Sequence, residues 1–195
     1  MLPSPRANLS DPAKLETDNR LSDFARRLAK THAVDAVPLP ARTSAGISRH
    51  PKPDLLEQMK IWEKALRNAN AIFKAVPSNE LPVSRAGEWM LDNFYIVKQT
   101  FRQIEENLPA SFYNQLPKLA GTSLRGSPGS STGHKQPRIF ALAWEWIGYS
   151  QSQLDLTQIT AFVQDYQQVT PLKIGELWAL PSMLRIGILE RLVYA

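Results

Sequence analysis

Glu88-Trp89-Met90-Leu91-Asp92-Asn93-Phe94-Tyr95 opens a stretch in which Met90, Phe94, Val97, Phe101, Ile104 and Leu108 recur at spacings of 4, 3, 4, 3 and 4. Such spacing is the apolar seam of an amphipathic helix. Upstream, Pro53-Asp54-Leu55-Leu56-Glu57 has the form of a capping box, with Asp at the N-cap and Glu three residues on. It introduces a second seam of Leu55, Met59, Trp62, Leu66, Ala69, Phe73 and Val76, spaced 4, 3, 4, 3, 4 and 3. Pro77 to Val83 separates the two seams. A connection that short predicts a hairpin of two packed helices.

Downstream, Leu108-Pro109 ends the first seam, and Ser111 to Leu116 predicts one helical turn before Pro117. Residues 121–137 read as a loop of Gly, Ser, Thr and Pro. Arg138 to Tyr149 predicts a helix that is apolar on nearly every side and therefore buried. Asp155, with Gln158 completing a box, predicts another helix with Leu156, Ile159, Phe162, Val163 and Tyr166 inward. From Pro171 a last helix is expected to run to about Val193, kinked at Pro181. No stretch alternates with period 2. The fold class is all-α, an irregular bundle of about five main helices.

Residues 1–52 read as a Pro-rich, mostly disordered tail. One short helix is expected inside it, on Leu21, Phe24 and Leu28, with Asp18 as its cap. The helical domain is then 53–195. At 195 residues and 43% hydrophobic, the chain can bury a core. It has no apolar run long enough for a membrane span, and its N-terminus lacks a secretory signal. With no cysteine, neither disulfides nor Cys-ligated metal are open to it. The net charge of +5 is spread thinly, with no Lys/Arg run longer than Arg26-Arg27, so no nucleic-acid partner is expected. Val193-Tyr194-Ala195 carries neither a Gly cap nor a polar tail, which leads one to expect either further chain in the natural context or a longer gene cut short.

Candidate chemistry is sparse. Gly126 to Lys135 lacks the Gly-Lys-Ser/Thr order and the preceding strand of a phosphate loop. His32, His50 and His134 have no ligand-like spacing. No metal, cofactor or catalytic residue is expected. On the outer face of the Met90–Leu108 seam, Glu88, Asp92, Tyr95, Gln99 and Arg102 line up opposite Met90. Rings beside carboxylates and amides suit an interface or a sugar. Glu88 and Asp92, four apart on one helix, make a poor pair for glycoside chemistry, which needs two carboxyls across a cleft. In Gly175-Glu176-Leu177-Trp178-Ala179-Leu180-Pro181-Ser182-Met183-Leu184-Arg185 the two charges fall on opposite sides of an apolar helix. Each needs a partner from elsewhere. Arg185 is expected to meet Glu88, Asp92 or Glu145. Trp62 and Trp144 read as core, Trp89 and Trp178 as the flanks of apolar stripes. The candidate polar cluster or interface is therefore Glu88, Trp89, Asp92, Asn93, Tyr95, Glu176, Trp178 and Arg185.

Ala86-Gly87-Glu88-Trp89-Met90-Leu91-Asp92-Asn93-Phe94-Tyr95-Ile96-Val97 resembles a signature near the start of bacterial cyclic β-1,2-glucan synthases. Five further stretches follow in that family's order: Leu108-Pro109, Phe112-Tyr113-Asn114-Gln115-Leu116-Pro117-Lys118-Leu119, Pro137-Arg138-Ile139-Phe140-Ala141-Leu142-Ala143, Phe162-Val163-Gln164-Asp165-Tyr166-Gln167, and Thr170 through Arg185. The resemblance covers about residues 55–193. It departs at Gly87, where Ala is usual, and at 121–136, which look expanded. It implies the N-terminal cytosolic helical segment of a large inner-membrane enzyme that builds cyclic glucan from UDP-glucose. That enzyme's transferase domain, membrane spans and phosphorylase-like domain lie downstream of the resembling region. It carries over no catalytic residue.

Two readings of function stand beside each other. One is a non-catalytic scaffold or regulatory module, whose partner is the glycosyltransferase domain of a glucan synthase, at the cytosolic face of the inner membrane. The other is a stand-alone cytoplasmic helical module that binds protein or carbohydrate, with glucan as candidate ligand.

Overall fold

The computed structural model describes residues 12–32, 54–75, 85–119 and 136–194. These form seven helices: α1 (Pro12–Thr31), α2 (Leu55–Ala75), α3 (Arg85–Asn107), α4 (Ala110–Gln115), α5 (Arg138–Tyr149), α6 (Leu156–Gln167) and α7 (Ile174–Val193). Among the described residues there is no strand, and the protein is all-α. The boundary expected at 52/53 and most of the expected loop at 121–137 lie outside the described residues, as do Val76, His50 and His134. The chain divides into two compact units. One takes Met1–Ala33 and Leu154–Leu172, and so holds α1 and α6. The other takes Val34–Gln153 and Lys173–Ala195, and so holds α2 to α5 with α7.

In the smaller unit α1 packs on α6. Leu21, Ala25, Leu28 and Ala29 are buried, and Phe24 stacks on Phe162 with ring centroids 5.7 Å apart. The helix is longer than its apolar face predicts. Asp18 lies inside it and exposed, so it is no cap. At the end of α1, His32 is buried and shares a 3.0 Å hydrogen bond with the Tyr166 hydroxyl. Thr170 donates its hydroxyl proton to the Ala29 carbonyl at 3.0 Å, which ties the chain after α6 back to α1. Asp155 caps α6 by accepting from the Thr157 and Gln158 backbone N–H groups at 2.8 and 3.1 Å. Leu156, expected inward, is 78% exposed, at the first residue of α6.

The larger unit has its core between α5 and α7, with α2 and α3 packed on each other and both on α7. All six seam residues of α3 and its end are buried: Met90, Phe94, Val97, Phe101, Ile104 and Leu108. In α2, Met59, Trp62 and Leu66 are buried, whereas Leu55, Ala69 and Phe73 are half-buried. Asp54 caps α2, accepting from the Glu57 N–H at 2.9 Å. Along α5, Ile139, Phe140, Ala141, Leu142, Ala143, Trp146 and Ile147 are all buried, while Trp144, expected in the core, is half-buried. The Arg191 guanidinium covers the Trp144 ring at 5.4 Å. The α5–α7 approach is close because Gly187 has no side chain. A Cβ there would overlap the Ile147 Cδ1 methyl. α5 ends in a reversal with Gln151 at φ 52° and Ser152 at φ 67°, held by the Ser152 N–H donating to the Ile147 carbonyl at 2.9 Å.

α7 begins three residues after Pro171, at Ile174, and continues through Pro181 to Val193. Leu184 is buried, while Leu177 and Ile188 are half-buried. Leu184→Ala should therefore lower stability by roughly 2–5 kcal/mol, and Gly187→Ala by roughly 1–3 kcal/mol through overpacking. Leu156→Ala should change it by no more than about 0.5 kcal/mol. Urea unfolding of the three variants checks this ranking.

Candidate functional site

The most constrained polar group in the described residues is an ion pair between α5 and α7. Arg138 opens α5 directly after Pro137, and Glu176 stands in the first turn of α7. The Arg138 Nε donates to Glu176 Oε1 at 2.8 Å, and its Nη2 donates to Oε2 at 2.5 Å. Oε2 also accepts the Lys173 backbone N–H at 2.9 Å. Arg138 is 5% exposed and Glu176 0%. Two-pronged guanidinium–carboxylate geometry suits a desolvated pair, because both oxygens are satisfied at once. Glu176 further gains from lying at a helix N-terminus, where the backbone N–H groups carry partial positive charge.

The backbone around Arg138 is pinned as well. An isolated antiparallel bridge joins Lys118 to Pro137. In it the Leu119 N–H donates to the Gln136 carbonyl at 3.0 Å, and the Arg138 N–H donates to the Pro117 carbonyl at 2.9 Å. Beside it, Tyr113 is buried, with the Lys118 ammonium 5.7 Å from its ring centre. Burial first, and then the nearby Asp54 charge, push the Tyr113 phenol above its ordinary value. Gly175 lets the Phe112 ring approach α7, since an added Cβ would stand 3.4 Å from Phe112 Cε2. Residues from three motifs far apart in sequence, Phe112 to Leu119, Pro137-Arg138 and Gly175-Glu176, thus meet at one place.

The sequence-predicted residues are distributed otherwise. Glu88, Trp89, Asp92 and Tyr95 are exposed on α3. Asn93 is half-buried, and its amide donates to the Trp89 carbonyl at 3.0 Å, a contact within one helix turn. Trp178 is 75% exposed on α7. Arg185 is half-buried and forms no ion pair among the described residues, so the expected pairing with Glu88, Asp92 or Glu145 does not occur. Burial alone pushes the Glu145 carboxyl up, as it would for a carboxyl with no cation beside it. The charge that the apolar helix required a partner for is Glu176, and its partner is Arg138. Sequence reasoning missed Arg138. The available signal was the same one that flagged Glu176: a charge next to Ile139 and Phe140, in a helix apolar on nearly every side.

As for chemistry, Glu176 is closed to solvent and committed to Arg138. It does not face Glu88 and Asp92 across an open cleft. Among the described residues no cluster of His, Asp or Glu could hold a metal ion, and no helix is long and apolar enough to cross a membrane.

Comparison with known proteins gives the context. Over 110 residues the chain is similar to a cyclic β-(1,2)-glucan synthase. The relative is cyclic β-(1,2)-glucan synthase NdvB of Rhizobium meliloti (strain 1021), 39% identical across that stretch. The stretch is 56% of this chain and 4% of the relative, so the chain spans only a small part of a much longer protein. No family model matches the chain. The resemblance carried by the sequence motifs is borne out by this likeness.

Removing Arg138 would strand a carboxylate in the core. Arg138→Ala should cost roughly 3–5 kcal/mol, and Arg185→Ala no more than about 0.5 kcal/mol, both read from denaturant midpoints. A separate test uses alkali. The folded chain keeps the Tyr113 proton where the unfolded chain has lost it. Its contribution is therefore fully present below the ordinary tyrosine value of 10.0 and is lost as pH rises above it. Each further pH unit in that window should remove about 1.4 kcal/mol. Tyr113→Phe should flatten this slope in urea titrations run at increasing alkaline pH.

Proposed function

We propose that the chain is a non-catalytic scaffold or regulatory module of a cyclic β-1,2-glucan synthase, acting on the glycosyltransferase part of such an enzyme at the cytosolic face of the inner membrane. The observation that carries this reading is the 110-residue likeness to NdvB. The geometry of the shared motifs supports it. Three of them, Phe112 to Leu119, Pro137-Arg138 and Gly175-Glu176, meet at a closed ion pair and an apolar contact, which hold helices in register, and no cleft between carboxylates is formed there among the described residues. Glu88 and Asp92 lie on one exposed helix face with side chains running parallel, where they cannot flank a glycosidic bond. What remains for such a body is positioning: a stiff helical frame with outward polar and aromatic groups.

A second reading rests on those outward rings. Trp89, Tyr95 and Trp178 are all exposed large aromatics, and flat rings stack on the C–H faces of sugars. On this reading the module binds glucan. Titration with cyclic β-1,2-glucan, followed by tryptophan fluorescence, distinguishes it from a pure scaffold.

Incubated with labelled UDP-glucose, the isolated chain should transfer no glucose, and labelled glucan or protein above a blank would overturn the proposal. Co-expressed with NdvB lacking its matched stretch, the chain should restore glucan synthesis in membranes. Failure there, with both proteins present and folded, would count against a role on the transferase.

A further inference from the structure

α7 is apolar almost all round, yet one of its sides is exposed in its first half and only half-covered beyond. Ile174, Trp178, Pro181, Arg185, Ile188 and Leu192 follow one another at spacings of 4, 3, 4, 3 and 4, so they form one row along the helix. Ile174 is 67% exposed and Trp178 75%; Pro181 is exposed, and Arg185, Ile188 and Leu192 are half-buried. The opposite side of α7 meets α2, α3 and α5. The row runs for roughly 27 Å at the rise of an α-helix. An apolar row of that length, with one cation in the middle and no carboxylate on it, has the form of half a helix–helix interface.

α3 carries a matching row on the side away from its buried seam. Arg85, Trp89, Asp92, Ile96, Gln99 and Gln103 repeat the same 4, 3, 4, 3, 4 spacing. Trp89 is 45% exposed and Ile96 is also exposed, while Asp92 stands between them without an ion pair among the described residues. Set antiparallel and in register, the two rows place Arg185 opposite Asp92, Ile188 opposite Trp89, and Pro181 opposite Ile96. Set parallel, the spacing still matches, but Arg185 falls opposite Ile96 and Asp92 opposite Pro181. Two charges would then be covered with no partner, which is strongly unfavourable. Charge selects the antiparallel arrangement.

We propose that the α7 row docks antiparallel on the α3 row of a second copy of this chain, with Arg185 of one copy paired to Asp92 of the other. A second copy presents both rows, so the contact forms twice in a twofold dimer, the commonest closed assembly. Trp89 and Trp178 supply the large rings that anchor such interfaces. The inference does not depend on the proposed role in glucan synthesis.

Sedimentation velocity of the full chain at physiological salt, from micromolar to near-millimolar concentration, tests it. The mass should rise from 21.9 kDa toward twice that value. Arg185→Glu and Asp92→Arg should each weaken association by about tenfold or more, as expected when a charge pair in an interface becomes a like-charge clash. The double variant should recover it. Circular dichroism checks that each variant is folded; Asp92 is exposed and Arg185 half-buried. A chain that stays at monomer mass throughout overturns the proposal. A dimer untouched by either reversal, or one that the double variant fails to restore, overturns the Asp92–Arg185 pairing.

Discussion

Arg138 and Glu176 lie 38 residues apart in the chain and must leave water together. Each ion alone would cost several kcal/mol to bury. Their mutual attraction offsets that cost only because the geometry is complete: two guanidinium N–H groups on two carboxylate oxygens, with the Lys173 N–H on the same carboxylate. The pair therefore acts as a register lock. If α5 slid by one turn along α7, both charges would be stranded. With the lock closed, Gly187 comes to face Ile147, and the apolar length of α5 closes on α7.

The lock also organises what surrounds it. Arg138 can reach Glu176 because Pro137 starts α5 there, and Pro137 is held by the bridge to Lys118. The short helix α4 ends just before that bridge, and its Phe112 and Tyr113 pack against Gly175 and beneath Lys118. A small number of polar contacts thus brings together segments that share nothing in sequence. Sequence stretches that resemble glucan synthases supply these contacts.

α7 connects this internal order to the outside. Its inner side carries Glu176, Ala179, Met183, Ile186 and Glu190 into the core, and its outer side carries Ile174, Trp178 and Pro181 into solvent. A helix can satisfy two apolar sides only by packing on two partners. α2, α3 and α5 serve the inner one. The lone cation Arg185 on the outer side gives that surface a polarity, and so a preference for a partner with a carboxylate in register.

Local order was largely legible from the sequence. The α3 seam was read residue by residue, the limits of α5 fell at Arg138 and Tyr149, and Asp54 and Asp155 were recognisable caps. These features follow from the backbone itself, whose fixed turn of about 100° per residue makes each helix face a pattern in the sequence. α1 was underestimated because only three of its residues suggested an apolar face. Its burial comes from α6, more than a hundred residues on. The sequence also required that a charge in an apolar helix be paired. It could not name the partner. Glu88, Asp92 and Glu145 were candidates for Arg185 and Arg138 was not considered for Glu176, because periodicity constrains which way a side chain points and carries no information on what lies opposite. That choice was made by tertiary packing alone, where the positions of Pro137, Gly175 and Gly187 decide which helices approach closely enough for two charges to meet without water.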